Sequence, residues 1–288
     1  MQFNESKKQP VLLAVLAHPD DESFGIGGTL AYYARNGVHI ELVCATKGEA
    51  GEMDEKFLHA NQTSADVRIQ ELRCAAGILG ISNIHFLDYR DSGMSGSLDN
   101  QNPQALCNQS VDQVAAEVAD IIRKVQPNIV ITFDPIGGYR HPDHIAIHHA
   151  AVAAYQMTSD PGFVGNGLAT FQPDRLIYST FPKTMMRLMI SVMKLIGKDP
   201  TRFGQNEDID LASIAEVTFP IHYKIDYRSV EKERDAASAC HASQGGAGLS
   251  GGFLGFFRRI LTPYETFMQA VPEFTEQKPK KDLFYGLS

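Results

Sequence analysis

The sequence is poor in cysteine and has no excess of positive charge. Only four of its 288 residues are cysteines, and no two of them form a CxxC pair: Cys44, Cys74, Cys107 and Cys240. This spacing argues against a zinc ribbon and a disulfide-stapled secreted domain, so we expect all four to be small core residues in a reducing compartment. Acidic side chains outnumber basic ones by 34 to 26, which gives a net charge of −8. Because the overall field repels polyanions, nucleic acid is not an expected partner.

Long apolar runs are also missing. The run from Val11 to Ala17 has seven residues before His18, which is too short for the apolar part of a signal peptide and its cleavage site. No stretch reaches the roughly 18 apolar residues that a membrane-spanning helix needs. We therefore expect a cytoplasmic protein with no transmembrane segment. Its 43% of apolar and 21% of charged residues are typical of a folded protein and exclude a disordered or fibrous chain.

Short β-forming runs alternate with longer helical patterns along the chain. This alternation predicts an α/β fold of the Rossmann-like kind, in which helices cover both faces of a mainly parallel sheet. The predicted strands are Val11–Ala17, Val38–Thr46, Asn83–Leu87, Asn128–Phe133, Arg175–Thr180 and Ala215–Pro220. The predicted helices are Gln62–Leu79, Ser110–Val125 and Ile145–Met157.

Two segments do not fit the alternation. Thr184–Gly197 is apolar and rich in methionine, and we expect an amphipathic helix that packs on the domain; a lid over the active site or a lipid-facing surface is the alternative. Gly245–Gly255 is too rich in glycine for a regular element, which predicts a mobile loop. Its neighbours Phe253, Phe256 and Phe257 either close over a ligand or anchor the loop to the core.

Two clusters of ionisable residues follow predicted strands. The first strand runs directly into the cluster His18–Glu22, and the fourth strand is followed by a turn with two glycines and the cluster Tyr139–His144. Ligands bind at the carboxyl ends of the strands in open parallel sheets, so we expect both clusters to face one crevice. Pro19 and Pro142 suit the first turn of a helix, where no backbone N–H is needed. The acids after them then lie near the positive end of a helix.

The imidazoles and carboxylates of these clusters match the ligand set of a catalytic metal ion. In such a site three protein groups bind the metal and a fourth position is left for water. The predicted ligands are His18, Asp21 and His144. Two nitrogen donors and one oxygen donor suit Zn²⁺, although Fe²⁺, Co²⁺ or Mn²⁺ could compete for the site.

The remaining groups are available for proton chemistry. Asp20 is the predicted general base, which takes a proton from the metal-bound water. His141 could stay protonated near Asp143 and either stabilise an oxyanion or protonate a leaving amine, and Tyr139 could donate its hydroxyl to the same oxyanion. The alternative is that all these residues form ordinary helix caps and surface ion pairs. The presence of two such clusters, at the ends of two strands, argues against that alternative.

At these residues the chain resembles the LmbE-like, or PIG-L, family of zinc-dependent de-N-acetylases. The opening signature of that family is present as Ala17–Glu22, and its His-x-x-His signature is present as His141–His144. The similarity extends to four further segments: Thr46–Glu49, Arg68–Glu71, Asp91–Met94 and His241–Gln244. It therefore covers most of the chain up to residue 180 and resumes in the last of these segments.

The resemblance implies a role for most of these residues. It assigns zinc binding to His18, Asp21 and His144, the base to Asp20, and polarisation or protonation to His141. The positions that match substrate-binding residues of the family are Glu49, Arg68, Asp91, Met94 and Tyr139.

Three of the resembling segments have a structural alternative. Arg68 and Glu71 could form a surface ion pair at i,i+3. Met94 could belong to the core. His241 could be a structural histidine with satisfied hydrogen bonds.

The resemblance also implies a function. It predicts one domain over residues 1–288 that hydrolyses the N-acetyl amide of an N-acetylglucosamine-type amino sugar or conjugate, releasing acetate and a free amine. Residues 181–211 and 245–288 follow no family pattern, so we expect a variable insertion and a variable tail there. The expected partner is a small N-acetylated sugar or sugar conjugate, and a homo-oligomer is left open.

Three alternative functions are weaker. The protein could hydrolyse another amide or an ester, or it could bind a metal without catalysis. A nucleotide-binding module is suggested by Gly25, Gly27 and Gly28, but their GxGG spacing differs from the GxGxxG pattern of dinucleotide-binding folds.

Overall fold

The computed structural model describes residues 9–51, 53–58, 61–181, 183–203, 209–246, 248 and 263–287. The predicted loop Gly245–Gly255 lies largely outside these ranges, as do Phe253, Phe256 and Phe257. Both alternatives for these phenylalanines therefore stay predictions.

Seven strands form a single sheet. They are β1 (Val11–Leu16), β2 (His39–Thr46), β3 (Ile81–Tyr89), β4 (Ile129–Phe133), β5 (Arg175–Thr180), β6 (Tyr223–Asp226) and β7 (Tyr264–Val271). Their order is β3-β2-β1-β4-β5-β7-β6. The strands from β3 to β5 in this order are parallel, whereas β7 is antiparallel to both β5 and β6.

Strand β1 lies at the centre of the site-forming part of the sheet, and its six residues are all buried. Leu12 pairs with Ile40 of β2 on one side and with Ile129 of β4 on the other. The chain leaves β1 toward β2 and β3 and then returns to continue at β4, so the strand order reverses between β1 and β4. The crevice at the carboxyl ends of two such strands is where open α/β sheets bind ligands.

The helices form two packed groups. Their bounds are α1 (Asp21–Gly25), α2 (Gly27–Arg35), α3 (Ser64–Leu79), α4 (Val111–Val125), α5 (Gly137–Arg140), α6 (Pro142–Met157), α7 (Lys183–Leu195), α8 (Leu211–Glu216) and α9 (Glu231–Cys240). Helices α2, α3 and α9 pack together, and α4 packs against α6. Crossovers between parallel strands are right-handed in nearly all proteins, and with this strand order that rule puts the two groups on opposite faces of the sheet. The predicted fold class is therefore confirmed.

Short 3₁₀ turns complete the chain between these elements: Glu55–Phe57, Leu98–Gln101, Leu106–Asn108, Arg228–Val230 and Ala242–Gln244.

The three predicted helices are present with small shifts of their ends. Thr63 caps α3, because its hydroxyl accepts a hydrogen bond from the backbone N–H of Asp66 and the Asp66 carboxylate accepts one in return. Gly80 ends α3 in the left-handed conformation, with φ 75°. Helix α6 begins at Pro142, as the missing N–H of proline allows.

The predicted strand Ala215–Pro220 is wrong. Its first residues belong to helix α8, because the Asp210 side chain accepts a hydrogen bond from the backbone N–H of Ser213 at 3.0 Å and so caps a helical turn. Leu211 and Ile214 then bury the same face of that turn. The strands of this region are β6 and β7, which the prediction lacks.

The expectation of four unpaired cysteines is also wrong. Cys74 in α3 and Cys240 at the end of α9 form a disulfide across 166 positions of sequence. Packing of α3 against α9 brings the two residues together. Cys44 is a buried free thiol, as expected, and Cys107 is free and half-buried.

The methionine-rich segment forms helix α7, as predicted. It packs against α8, with Met193 buried and Leu195 exposed. The choice between a helix packed on the domain and a lid or lipid-facing surface stays a prediction. Within the described ranges, no helix combines the length and the apolar character that crossing a bilayer requires.

Asn128 joins the amino ends of three strands, at the edge of the sheet away from the ionisable clusters. Its Oδ1 accepts a hydrogen bond from the backbone N–H of Val11 at 3.0 Å, and its Nδ2 donates to Asp174 at 2.9 Å. Its carbonyl accepts from the backbone N–H of Arg175 at 3.1 Å. One residue thus holds the starts of β1, β4 and β5 in register.

Candidate active site

The two ionisable clusters meet at the carboxyl ends of β1 and β4. His18 follows β1, and His144 lies in the first turn of α6, just after β4. His18 Nδ1 is 3.2 Å from His144 Nε2, and both side chains are buried. The expected single crevice is therefore present, and the alternative of ordinary surface ion pairs is wrong.

Asp21 completes a triangle of donor atoms with these two histidines. Its Oδ1 lies 3.2 Å from His144 Nε2, and its Oδ2 lies 3.6 Å from His18 Nδ1. Nitrogen and oxygen ligands bind zinc at about 2.0–2.2 Å, so the edges of a tetrahedral ligand set measure about 3.3–3.6 Å. The three distances are close to these edges, and the two contacts of Asp21 use different oxygens of its carboxylate.

Hydrogen bonds on the far side of each ring orient the two imidazoles. His18 Nε2 is 3.1 Å from Asp143 Oδ2, and His144 Nδ1 is 3.2 Å from the carbonyl of Gly137. Because these partners only accept, the ring protons lie on His18 Nε2 and His144 Nδ1. The opposite nitrogens, His18 Nδ1 and His144 Nε2, then face Asp21. Metal-binding histidines in proteins are held in this way.

Asp143 supports His18 and does not pair with His141, contrary to the expectation. Its carboxylate is fully buried and also accepts hydrogen bonds from the backbone N–H of Ser92 at 2.9 Å and from the Ser92 hydroxyl. Asp143 is the second residue of α6, so its side chain turns back toward the end of β1, whereas the His141 ring caps the helix through the Asp143 N–H.

The electrostatic field at this point favours a positive charge. Burial lowers the pKa of His18, but the carboxylates of Asp91 and Asp143 outweigh it and hold that pKa well above its usual value. Burial raises the pKa of Asp21, but the neighbouring imidazoles His144 and His18 outweigh it and hold that pKa well below its usual value. A divalent cation would use the same field.

Two overlapping sets of side chains could hold a metal at this point. His18, His141 and His144 each offer a nitrogen within 4.8 Å of the others, as do His18, Asp91 and Asp143 with one ligand atom each. The residues present therefore fit a divalent metal ion, with more donors than one ion needs. Asp21 belongs to neither set, so its place as the third ligand stays a prediction that rests on its contacts with His144 and His18 at 3.2 and 3.6 Å.

Asp20 lies between the predicted metal ligands His18 and Asp21 in sequence and has a strained backbone conformation. Its φ is 126°, a region that side-chain-bearing residues rarely adopt. Helix α1 therefore begins only at Asp21, and the predicted helix start at Pro19 is wrong. Burial raises the pKa of Asp20 to about 6, against the guanidinium of Arg68, which lowers it. This carboxyl is thus able to gain and lose a proton near neutral pH.

The Arg68 side chain is buried and does not form a surface ion pair. Only 3% of its surface is exposed, and it donates to the carbonyls of Gly48 and Pro19 at 2.9 and 2.8 Å and to Asp20 Oδ2 at 3.0 Å. Glu71 turns elsewhere and accepts two hydrogen bonds from Ser243. The predicted alternative of an exposed Arg68–Glu71 ion pair is therefore wrong.

His141 and Tyr139 offer hydrogen-bond donors beside the predicted metal ligands. His141 Nδ1 accepts from the backbone N–H of Asp143 at 3.1 Å, so the proton of the neutral ring lies on Nε2. Burial, together with His18 and His144, holds the pKa of His141 well below its usual value, so a protonated His141 is not supported. Burial also raises the pKa of Tyr139 above its usual value, which keeps the phenol a donor.

The glycine turn before α6 makes room for this arrangement. Gly137 and Gly138 have φ of 64° and 66°. A Cβ on Gly137 would lie 2.8 Å from the His144 Cβ, and one on Gly138 would lie 2.9 Å from the Phe181 ring. Only glycine fits both positions.

An open cavity of about 590 Å³ leads to these groups. Polar side chains dominate its wall, and Met94 adds an apolar one. Three of the predicted substrate-binding residues, Arg68, Asp91 and Met94, lie together there with Tyr139. Within the described chain, Glu49 is not part of this wall; its carboxylate accepts from the backbone N–H of Asp91 at 3.2 Å.

The sequence reasoning missed two residues that support Asp20. Glu22 Oε2 accepts from the backbone N–H of Asp20 at 3.0 Å, and Glu22 Oε1 lies 2.7 Å from His241 Nε2. Neither side chain has exposed surface. His241 Nδ1 finds no hydrogen-bond partner among the described residues, so the expectation of full satisfaction is wrong. The signal was present, because Glu22 and His241 both belong to the resembling segments.

The sequence reasoning also missed Ser92. It lies inside the resembling segment Asp91–Met94, and its hydroxyl and N–H hold the Asp143 carboxylate. A serine in such a segment gives no sequence signal of the distant aspartate that it binds.

The nucleotide-binding alternative conflicts with the start of α2. The backbone N–H groups of Gly28 and Thr29, which would face a pyrophosphate, donate to the carboxylate of Glu265 at 2.9 and 2.7 Å. A negative group of the protein itself thus occupies the place of the phosphate.

Comparison with known proteins agrees with these features. The family model described as GlcNAc-PI de-N-acetylase, PIG-L, matches residues 13–155. A 1D-myo-inositol 2-acetamido-2-deoxy-alpha-D-glucopyranoside deacetylase from Acidothermus cellulolyticus is 38% identical over 242 residues, which are 81% of this chain and 79% of the relative.

Two solved structures share the fold. The N,N'-diacetylchitobiose deacetylase of Pyrococcus horikoshii aligns with a TM-score of 0.61 and 22% identity over 90% of this chain and 83% of its own. The 4-carboxy-2-hydroxymuconate hydratase GalB of Pseudomonas putida KT2440 aligns with a TM-score of 0.60 and 22% identity over 94% of this chain and 100% of its own. The sequence match over 81% of the chain, the fold and the two signatures agree, and the chain therefore belongs to the GlcNAc-PI de-N-acetylase, or PIG-L, family.

Proposed function

We propose that the protein is a metal-dependent hydrolase that removes the N-acetyl group from an N-acetylglucosamine-type amino sugar or conjugate, giving acetate and a free amine. The observation that carries the proposal is the donor triangle of His18, Asp21 and His144, with Asp20 beside it and an open polar cavity in front. Family membership supports the choice of an acetamido sugar. The name of the 38% identical relative makes a 2-acetamido-2-deoxyglucopyranosyl inositol the first substrate to test.

His18, Asp21 and His144 would hold the metal ion. Two nitrogens and one oxygen suit Zn²⁺, and Fe²⁺, Co²⁺ and Mn²⁺ remain competitors. When bound, such an ion supplies Lewis acidity and lowers the pKa of water toward neutrality. Asp143 and the Gly137 carbonyl keep the two imidazoles in the tautomers that the ion requires.

Asp20 moves the proton. With a pKa of about 6, its carboxylate is mostly ionised at pH 7 and accepts a proton from the attacking water as the new C–O bond forms. The same carboxyl then returns that proton to the nitrogen as the C–N bond breaks. Arg68 holds Asp20 in place through both steps, since its guanidinium is itself fixed by two backbone carbonyls.

His141 and Tyr139 stabilise the charge that develops on the carbonyl oxygen. Both present a neutral donor, the Nε2–H of His141 and the phenol of Tyr139. Removing one such donor in a buried site typically slows turnover by about 10²–10³. Because His141 is held neutral, protonation of the leaving amine falls to Asp20 and not to His141.

Acetate release from a panel of N-acetylated sugars tests this function. The protein is loaded with one equivalent of Zn²⁺, and the panel includes the glucosaminyl inositol conjugate, N-acetylglucosamine and diacetylchitobiose. We expect acetate and free amine in equal amounts. Metal-loaded, folded protein that releases neither from any member would contradict the proposal.

Asp20→Asn separates catalysis from metal binding. The variant is expected to keep the metal and to lose about 10²–10⁴ in kcat. Asp88→Asn is the matched control, because Asp88 is an exposed carboxylate whose ion pair with Lys47 lies on the surface. Equal activities of the two variants would remove Asp20 from the proposed role.

A further inference from the structure

A second, smaller cavity adjoins the catalytic groups. Its volume is about 140 Å³, and Asp20, Asp21, Tyr139 and His144 form its polar side. The rest of its wall is mainly apolar: Leu16, Phe24, Ile26, Phe133 and Phe181. We name this cavity the side pocket. It shares Asp20 and Tyr139 with the large open cavity, so the two cavities meet at the reacting groups.

We propose that the side pocket binds the acyl chain of the substrate, and that the enzyme therefore removes N-acyl groups longer than acetyl, in particular propionyl and butyryl. This inference rests on the proposed amide hydrolysis. The reaction is the same one: water is consumed, the C–N bond breaks, and the products are the carboxylate of the acyl chain and a free amine.

The chemistry of the two cavities assigns the two halves of the substrate. The amide carbonyl carries the sugar nitrogen on one side and the acyl carbon on the other. The open cavity presents charged and hydroxyl groups such as Arg68, Asp91 and Ser97, which suit a sugar with its hydroxyls. The side pocket presents aromatic and aliphatic carbon, which suits a hydrocarbon chain.

The size of the side pocket exceeds what an acetyl group needs. A cavity of about 150 Å³ lined by Leu, Ile and Phe binds benzene, which has six carbons. An acetyl group would place a single methyl in a side pocket of nearly that volume. Two further methylenes would fill it better, and each buried methylene improves apparent affinity about fourfold.

Strand β5 adds no free hydroxyl of Thr180 to the wall of the side pocket. Thr180, at the end of β5, has its hydroxyl engaged with the Thr266 hydroxyl at 2.9 Å, so it is bonded within the sheet. Ser179 precedes it and also lines the side pocket. A larger side chain at Ser179 would occupy the space that we assign to the acyl chain.

Kinetics with a series of acyl lengths test the proposal. N-acetyl, N-propionyl, N-butyryl and N-hexanoyl glucosamine are compared with the zinc-loaded enzyme, and free amine is measured. For the native protein we expect kcat/KM for butyryl to equal or exceed that for acetyl, mainly through a lower KM, and we expect a fall at hexanoyl.

Two variants change the side pocket in opposite directions. Ser179→Leu reduces its volume and is expected to lower the ratio of butyryl to acetyl kcat/KM at least tenfold. Phe181→Ala opens its wall and is expected to raise the ratio of hexanoyl to acetyl at least tenfold. Phe181 is 42% exposed, so its truncation preserves folding even if the Ser179 variant does not. Ser159→Leu, at an exposed position outside both cavities, is the matched control and should keep the native ratios.

Each result bears on one proposal. An enzyme that hydrolyses the acetyl substrate but is at least a hundredfold slower on propionyl and butyryl overturns the acyl-chain assignment. So do side-pocket variants with native ratios. Absence of hydrolysis for every substrate, acetyl included, contradicts the proposed function instead.

Discussion

A double-mutant cycle can measure the coupling between the buried side chains of Glu22 and His241. Glu22 accepts hydrogen bonds from the Asp20 N–H at 3.0 Å and from the Ser23 hydroxyl at 2.5 Å, and it contacts His241 Nε2 at 2.7 Å. Glu22→Ala removes the carboxylate and with it all of these contacts. Removing one member of a fully buried ion pair lowers the free energy of unfolding by about 3–5 kcal/mol. That is a large part of the 5–15 kcal/mol typical of a domain.

His241→Ala should be similarly severe, because it leaves the Glu22 carboxylate buried without its cationic partner. The double variant leaves no unpaired charge, so its loss should be smaller than the sum of the single losses by about 2–3 kcal/mol. Urea denaturation at fixed metal concentration measures all four proteins. Glu22→Gln, which keeps an acceptor for the Asp20 N–H, should recover part of both stability and kcat.

The coupling between the two residues should depend on pH. Burial lowers the pKa of His241, but attraction to Glu22 outweighs it and holds that pKa above its usual value. A raised pKa gives stability that is complete below the unfolded value, about 6.5, and is lost as the pH rises through the folded value. The coupling at pH 6 should therefore exceed that at pH 9.

The proposed coupling of Glu22 and His241 would be refuted if the loss of the double variant equalled the sum of the two single losses within about 0.5 kcal/mol. The exposed pair of Lys47 and Asp88, at 2.8 Å, is the control, since surface ion pairs contribute about 0–1 kcal/mol.

Four further outcomes are expected. Arg68→Met removes the charge that lowers the pKa of Asp20, so the acid limb of kcat/KM against pH should move to higher pH. Gly48→Ala places a Cβ 2.2 Å from the Arg68 guanidinium at φ 72°, and urea denaturation should show a loss of about 1–3 kcal/mol. Cys74→Ser leaves Cys240 as a free thiol, so thiol titration should find one more reactive group. The free energy of unfolding should fall by about 2–4 kcal/mol, because the disulfide no longer constrains the unfolded chain. A chelator should abolish turnover and Zn²⁺ should restore it, whereas recovery without added metal would contradict a metal role.

The central strands and the donor triangle could be predicted because their causes are local. β1 and β4 are buried on both faces, so they read as continuous apolar runs. The ionisable residues directly after them predict a site, since parallel strands end at one edge of the sheet. The family was identified from the same residues and is confirmed.

The errors arise where distant residues decide the outcome. His141 and Asp143 are neighbours in sequence, but the turn into α6 sends the Asp143 carboxylate to His18, 125 positions away. The partners of Cys74 and Glu22 lie on α9 or just after it and depend on how that helix packs. Strands β6 and β7 pair with each other, and β7 also pairs with β5, so distant residues and not a local period decide their place.

The predicted catalytic residues all lie at the carboxyl edge of the sheet, whereas Asn128 joins the starts of three strands at the opposite edge. A fluorescent dye, a fused domain or a solid support could be attached at the amino-end edge of the sheet without contacting the substrate. Substitutions at that edge would change the stability of the folded enzyme and not its turnover rate.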